Sequence, residues 1–82
     1  MYLYILESSV DKTHYVGITR NIEDRINYHN SRRVKSTKNK APWIVIHTEI
    51  YETLQEARNR EKYLKSYKGV KEKREIIKKY CK

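Results

Sequence analysis

The stretch at residues 15–29, YVGITRNIEDRINYH, decides the fold because it joins a strand to a helix, which is expected over residues 22–30. It begins with β-branched and aromatic residues, which are typical of a strand. Asn21 then stands at a helix N-cap position, and two acids follow in the first turn, where the helix dipole favours them. Arg25 and His29 are four residues apart, so their side chains project from one strip of the helix, about 6 Å apart along its axis. The stretch therefore predicts a polar cluster where the helix adjoins the strand.

Two other segments predict the strands that complete a small sheet. Residues 2–6 form a short apolar run typical of a buried strand, and we expect them to pair antiparallel with a strand at residues 13–19. This hairpin would bring Tyr4 and Tyr15 onto neighbouring strands. A third strand is expected at residues 43–47.

The second half of the chain predicts two further helices. Thr53 and Glu56 form a capping box, so one helix is expected to begin there and to run to about residue 67, before Gly69. The other helix is expected over residues 70–80. Its docking face would consist of Val70, Ile76, Ile77 and Tyr80.

Glu61 is the unusual residue of the first of these helices. The apolar stripe of that helix consists of Leu54, Ala57 and Leu64. The helical period places Glu61 on the same stripe, where a carboxylate is costly unless it is paired or bound to a metal. Two interpretations have equal weight: an ion pair with Arg58 or Lys65 at the edge of the stripe, or a functional site.

The charge of the chain favours nucleic acid as a partner. Its 82 residues carry 19 Lys and Arg against 10 Asp and Glu, for a formal net charge of +9. Nucleic acid is the default partner for such a field, and an anionic membrane surface comes second. The alternative to both is a solvated surface with no polyanion partner. The segment at residues 31–40 contains five cations and no acid. We expect phosphate contacts from these five, which are Arg32, Arg33, Lys35, Lys38 and Lys40.

The cysteine count and the length of the apolar run limit the class of protein. Cys81 is the only cysteine, so no internal disulfide can form and nothing indicates an oxidising compartment. The apolar run at residues 2–6 is far too short for a signal peptide or a membrane span. We expect one domain over residues 1–82, cytoplasmic and without membrane contact.

Several motifs together resemble the GIY-YIG nuclease superfamily. YLY at residues 2–4 and YVG at residues 15–17 are similar to its paired tyrosine signature, and Arg25 and His29 follow on the helix. ARNREK at residues 57–62 resembles the A-x-x-R-E-K segment of the small stand-alone bacterial (YhbQ-like) members; the N-terminal nuclease domain of UvrC is a more distant likeness. The resemblance covers nearly the whole chain. It implies an α+β fold: a small three-stranded antiparallel sheet flanked by helices, in the order β-β-α-β-α-α.

The resemblance also implies roles for five residues in phosphodiester hydrolysis with one divalent ion, Mg²⁺ or Mn²⁺. Glu61 would bind the ion, and Arg25 would contact the scissile phosphate. Tyr4 would be the general base, while Tyr15 and His29 would orient water or relay protons; the choice of base among these three stays open. A tyrosine is a poor base at neutral pH, so we expect Arg25 and the ion to lower the pKa of Tyr4.

These features predict a metal-dependent endonuclease that acts on DNA, of low or structure-directed specificity, in DNA repair or recombination. RNA is the alternative substrate, and a recruiting protein and the oligomeric state stay open. The alternative function is a non-catalytic nucleic-acid-binding module with the same fold. Ile18 stands where UvrC-like domains carry a lysine, and YLY lacks a glycine. Other branches have an asparagine downstream of the glutamate, and residues 70–82 contain none, so the substrate preference of those branches is not carried over.

Overall fold

The chain folds as a three-stranded antiparallel sheet flanked by helices, which confirms the predicted α+β architecture and element order. The computed structural model describes residues 1–35 and 37–80. Cys81, for which the sequence predicts no internal disulfide, lies outside them. The elements are β1 (Tyr2–Ser8), β2 (His14–Thr19), α1 (Ile22–Asn30), a short 3₁₀ helix (Lys38–Lys40), β3 (Trp43–Ile50), α2 (Leu54–Lys65) and α3 (Val70–Tyr80).

β1 is the central strand, because the sheet order is β2-β1-β3 and both pairings are antiparallel. In the β1–β2 register, Tyr4 stands opposite Gly17 and Leu6 stands opposite Tyr15. Side chains that alternate along a strand point to opposite faces, so both tyrosines lie on one face of the sheet. This confirms that the hairpin brings Tyr4 and Tyr15 onto neighbouring strands.

Each face of the sheet is covered by different helices. On one face, Leu3, Ile5 and Val16 form a core with Leu64 of α2, and Ile76 of α3 packs against it. The core of the other face consists of Tyr4, Leu6, Ala41 and Trp43, with Tyr15, Val45 and Ile22 and Ile26 of α1 packed against it. Because both faces are covered, the residues of β1 after Tyr2 are all buried.

The structure differs from the periodic pattern at three places. β1 continues beyond the predicted end through Glu7, whose carboxylate pairs with Lys12 (3.4 Å) and His14 (3.2 Å) and can therefore be buried. Leu54 (43% exposed) and Tyr80 (48% exposed) were expected in apolar faces, and those two expectations are wrong. A periodic pattern reports the direction of a side chain but not whether anything packs against it.

Within the described residues, no helix has the length and apolar character that crossing a membrane requires.

Candidate active site

Tyr4 occupies the centre of the candidate site, with only 2% of its surface exposed. Its ring lies over Gly17 of β2. A Cβ atom built at Gly17 would stand 2.6 Å from Cζ of Tyr4 and 3.1 Å from Cε1 of Tyr15. Glycine is therefore required at this position because the two tyrosine rings fill the space that a side chain would need.

A buried chain of hydrogen bonds leads away from Tyr4. The Tyr4 hydroxyl is 3.3 Å from Nε2 of His29, and Nδ1 of His29 is 3.1 Å from Oγ1 of Thr37. The Thr37 hydroxyl donates to the backbone carbonyl of Val34 at 3.4 Å, which leaves its oxygen free to accept a hydrogen bond from Nδ1–H of His29. In this tautomer, Nε2 of His29 carries no hydrogen and accepts a hydrogen bond from the Tyr4 hydroxyl.

Burial keeps the two titratable groups of this chain neutral. It raises the pKa of Tyr4 above its ordinary value, with Tyr15 and Glu61 adding to the increase and Arg25 opposing it. Burial also lowers the pKa of His29, and the positive charge of Arg25 lowers it further. Arg25 lowers the pKa of Tyr4 as expected, but in the protein without a metal ion burial outweighs the guanidinium.

Tyr15 lies beside this chain and is half-buried. Its ring centroid is 4.9 Å from that of His29 and 6.4 Å from those of Tyr4 and Trp43. The ammonium of Lys65, from α2, stands 5.7 Å from the centre of the Tyr15 ring. Tyr15 thus connects the buried aromatic cluster to the charged end of α2.

Arg25 brings a positive charge to the same region from α1. It is half-buried, and its guanidinium lies 5.6 Å from the centre of the Tyr28 ring. An open cleft of about 480 Å³ lies beside it, lined by Thr19, Arg20, Asn21, Asp24, Arg25 and Tyr28. A guanidinium at the wall of an open cleft can donate two hydrogen bonds to a phosphate.

Glu61 approaches the site from α2, and its charge acts on the pKa of Tyr4. Its side chain is 21% exposed, and Oε2 is 3.1 Å from Nζ of Lys65, one helical turn further along α2. The ion pair with Lys65 is one of the two arrangements expected from the sequence, and it leaves the carboxylate accessible.

The donor set suits an open magnesium or manganese site. Mg²⁺ usually binds one or two carboxylates together with substrate phosphates and several waters. Within residues 1–35 and 37–80, no three His, Cys, Asp or Glu side chains form a group that could enclose a metal ion. Glu61 is a single accessible oxygen donor, which fits an ion that shares its coordination with the substrate.

The basic loop between α1 and β3 divides into exposed cations and one paired cation. Arg32, Arg33, Lys35 and Lys38 are exposed. Nζ of Lys40 is instead 3.5 Å from Oδ2 of Asp11 and 3.2 Å from Oγ1 of Thr13. Lys40 thus fastens the loop to the β1–β2 connection, a role that the sequence did not indicate.

Two residues that support the site were missed in the sequence. Thr37 orients His29, and Asn30 bonds both backbone groups of Trp43, with its oxygen 2.5 Å from the Trp43 nitrogen. The Trp43 indole donates in turn to the carbonyl of Thr37 at 2.9 Å. Thr37 stands in a run of cations with no periodic signal, so only its contacts identify it.

The chain also matches known sequences. The family model of the GIY-YIG catalytic domain matches residues 1–75. A UPF0213 protein of Syntrophus aciditrophicus is 42% identical over 79 residues, covering 94% of this chain and 88% of that protein. UPF0213 proteins of Haloquadratum walsbyi and Clostridium perfringens are 37% and 38% identical, over 80% and 78% of this chain and 74% and 69% of their own lengths. No solved structure matches the chain. With these matches over most of its length, and with the paired tyrosines on neighbouring strands, the chain belongs to the GIY-YIG nuclease family.

Proposed function

We propose that the protein is a metal-dependent endonuclease that hydrolyses phosphodiester bonds in DNA, with residues 1–82 acting as one nuclease domain. The observation that carries the proposal is the packing of Tyr4, Tyr15 and His29 against one another, with the charges of Arg25 and Glu61 acting on the pKa of Tyr4. Their chemistry supplies a proton acceptor, a phosphate ligand and a metal ligand. A packed core alone needs none of these.

The metal would bind at Glu61, together with phosphate oxygens of the substrate and water. When bound, such an ion neutralises charge that develops on the phosphate and stabilises the leaving oxygen. Glu61 would release its ion pair with Lys65 to bind the metal ion. Its accessible side chain permits this exchange.

Proton transfer would use the Tyr4–His29 pair as one unit. The attacking water gives a proton to the oxygen of Tyr4, while the Tyr4 hydroxyl proton passes to the free Nε2 of His29. His29 is then an imidazolium whose Nδ1–H is held by Thr37. This arrangement accounts for a buried tyrosine with a raised pKa, because the proton moves through its hydroxyl and no phenolate has to persist.

Arg25 and Tyr15 would position the reactants. Arg25 donates to the scissile phosphate from the wall of its cleft, and Tyr15 orients the attacking water beside His29. The exposed cations Arg32, Arg33, Lys35 and Lys38 would contact the backbone phosphates of DNA without reading its sequence. We therefore propose low or structure-directed specificity and a role in DNA repair or recombination, with RNA as the alternative substrate.

Nicking of supercoiled plasmid tests the proposal. The wild-type protein and Glu61→Gln are compared with Mg²⁺, with Mn²⁺ and with EDTA. Glu75→Gln, which changes an exposed carboxylate on α3, is the matched control. We expect the wild type and Glu75→Gln to cut with either ion, EDTA to abolish cutting, and Glu61→Gln to lose at least about 100-fold in rate.

The second candidate function is a non-catalytic nucleic-acid-binding module. It is favoured by the Glu61–Lys65 ion pair, which satisfies the carboxylate without a metal. If the wild type and Glu61→Gln both fail to cut, yet bind DNA equally and with a strong dependence on salt, this function replaces the nuclease.

A further inference from the structure

Tyr67 is the most exposed large apolar or aromatic side chain in the described part of the chain. It is 94% exposed, whereas the others range up to 70%. Single exposed aromatic residues are common on protein surfaces and by themselves indicate nothing. Tyr67 differs from such isolated residues in its position on the molecule and in the rigid turn that carries it.

The turn that presents Tyr67 is tightly fixed between α2 and α3. The backbone nitrogen of Ser66 donates to the carbonyl of Tyr63 at 3.0 Å, and the Ser66 hydroxyl donates to the same carbonyl at 2.6 Å. The backbone nitrogen of Gly69 donates to the Ser66 hydroxyl and to its carbonyl, each at 3.2 Å. A Cβ atom at Gly69 would stand 2.6 Å from the carbonyl carbon of Tyr63, so this glycine lets the turn close against the end of α2. The backbone that carries Tyr67 is therefore ordered, and its side chain is exposed to solvent.

The turn begins at the candidate active site. Lys65, two residues before Tyr67, pairs with Glu61 and lies over the ring of Tyr15. Two peptide units span at most about 7 Å, so the backbone of Tyr67 lies within that distance of the backbone of Lys65. The backbone that carries Tyr67 thus lies close to the end of α2 that holds the Glu61–Lys65 ion pair.

The surroundings of Tyr67 are cationic. Lys62, Lys65 and Lys68 are exposed on the last turn of α2 and in the connection that follows. Exposed aromatic rings interleaved with lysines are the combination by which proteins bind single-stranded nucleic acid, because bases stack on the rings and phosphates are neutralised by the cations. In a duplex the faces of each base are covered by its neighbours, so only an unpaired base can stack on such a ring.

We propose that Tyr67 is a stacking site for an unpaired base of DNA, adjoining the phosphodiester that the active site receives. The proposal rests on the proposed function for the identity of the ligand, and it deepens that function by naming single-stranded DNA or a single-stranded flap as the substrate class. The Ser66–Gly69 hydrogen bonds reduce the entropy lost on binding, because the backbone that carries Tyr67 is ordered before the base arrives.

Binding measured in EDTA tests the proposal separately from cleavage. The affinities of the wild type, Tyr67→Ala and Tyr67→Phe are compared for a labelled oligothymidine and for a labelled duplex at one salt concentration. Tyr80→Ala, which removes a half-exposed tyrosine at the end of α3, is the matched control. Tyr67→Ala should weaken binding of the single strand by about 5- to 150-fold, the range for loss of one base–aromatic stack. Tyr67→Phe and Tyr80→Ala should bind as the wild type does, and duplex affinity should not change.

Two further readouts identify stacking. The slope of log affinity against log salt should be the same for Tyr67→Ala and the wild type, since no phosphate contact is lost. The emission of an oligonucleotide that contains 2-aminopurine should change on binding the wild type and Tyr67→Phe, and less on binding Tyr67→Ala.

Wild-type affinity of Tyr67→Ala for oligothymidine would overturn the inference, as would an equal loss of affinity for the single strand and the duplex. Plasmid nicking by the wild type would be unaffected by that result, so the nuclease proposal would stand. Conversely, dependence of single-strand binding on Tyr67 with no cleavage by any variant would support the stacking site and count against the nuclease.

Discussion

Two polar clusters around the sheet differ in charge: one is a chain of neutral hydrogen-bonded groups, and the other is a network of ion pairs. On the α1 face, Tyr4, His29 and Thr37 are buried. Burial raises the pKa of Tyr4 and lowers the pKa of His29, so it favours the neutral form of each. Between β3, α2 and α3, Arg60 pairs with Glu49 and Glu72, and all three groups are charged. One cluster is neutral and the other is ionic, although both are built from side chains that can titrate.

The pKa values of the ionic cluster follow from its pairing. Burial by itself would raise the pKa of Glu49, but hydrogen bonds from Arg60, Tyr51 and His47 lower it to about 2. Arg60 donates through Nε at 2.9 Å and Nη2 at 3.2 Å to the two carboxylate oxygens of Glu49, and its own pKa is raised by these bonds. Such a group does not exchange protons near neutral pH, so this cluster joins three elements and takes no part in proton transfer.

The comparison shows which cluster can do chemistry. In the proposed step, Tyr4 would take a proton from water as it gives one to His29, so no buried phenolate would persist, whereas the bidentate ion pair of Arg60 would first have to be broken. The comparison supports the proposed proton transfer through Tyr4 and His29, whereas Arg60 holds α2, which carries Glu61, against β3 and α3.

The largest effect is expected from Tyr4→Phe, which removes the hydroxyl from the neutral cluster and keeps the ring over Gly17. The nicking rate should fall by about 100- to 10,000-fold, the usual worth of a general acid–base group. Stability should change by no more than about 1–2 kcal/mol, since one buried acceptor on His29 loses its partner. Plasmid nicking and urea unfolding check both expectations, with Tyr80→Phe as the control. Full activity in Tyr4→Phe would show that Tyr4 is not the general base and would leave Tyr15 or His29 in that role.

Arg60→Ala breaks the ionic cluster and should destabilise the protein by about 2–3 kcal/mol. The carboxylate of Glu49 would keep its charge without its main partner, and the cost is below that of a fully buried pair because both side chains are partly exposed. Urea unfolding measures the difference, and Arg58→Ala, an exposed arginine on the same helix, is the control. An effect of Arg60→Ala no larger than that of the control would show that the network contributes nothing to stability.

The same variant has a defined pH dependence. The folded-state pKa of Glu49 is about 2, below its ordinary value of 4.5. Its stabilising contribution is therefore present above about pH 5 and is lost as the pH falls towards 2. Arg60→Ala should consequently lose less stability than the wild type across this window.

Thr37→Val should give a smaller effect at the far end of the neutral cluster. Nδ1 of His29 would lose its acceptor inside the protein, which costs about 1–2 kcal/mol, and the histidine would no longer be held in one tautomer. Nicking should therefore slow, and Thr37→Ser should restore both stability and rate. Equal activity of Thr37→Val and the wild type would contradict the orienting role.

The smallest effect is expected within the basic loop, where exposed and paired cations can be compared directly. Arg33→Ala should weaken DNA binding uniformly across sequences and reduce the salt slope by about 1. Lys40→Ala should leave that slope unchanged, because Lys40 pairs with Asp11. Binding titrations over a series of salt concentrations measure both slopes. A reduced salt slope for Lys40→Ala would show that Lys40 also contacts a phosphate.

The elements of this fold could be predicted wherever the determining interaction is local. The Asn21 and Thr53 caps bond the backbone nitrogens of Asp24 and Glu56, three residues on, so the start of each helix can be read from the sequence. Ile22 and Ile26, which are four residues apart and so share one face of α1, pack on the sheet. The continuation of β1 through Glu7 depends on Lys12 and His14, which become neighbours only after the hairpin forms.

The candidate site was accessible from the sequence only as a set of residue types. The resemblance identified Tyr4 and His29, but their hydrogen bond joins residues 25 positions apart, and no local pattern reports it. The raised pKa of Tyr4 was missed for the same reason, since its main cause is burial by the surrounding fold. The contacts that identify Thr37 and Arg60, with His29 and with Glu49 and Glu72, join different elements of the fold and likewise leave no local pattern.

The central position of β1 has a consequence for synthesis on the ribosome. β1 is made first of the three strands, but its second neighbour, β3, ends only at Ile50. At about 5–20 residues per second, this edge of β1 waits roughly 2–8 seconds for its partner. During that interval the nascent chain offers an unpaired strand edge that contains Leu3, Ile5 and Leu6. Until β3 is complete, the strand that carries Tyr4 therefore exposes the backbone hydrogen-bonding groups of one edge.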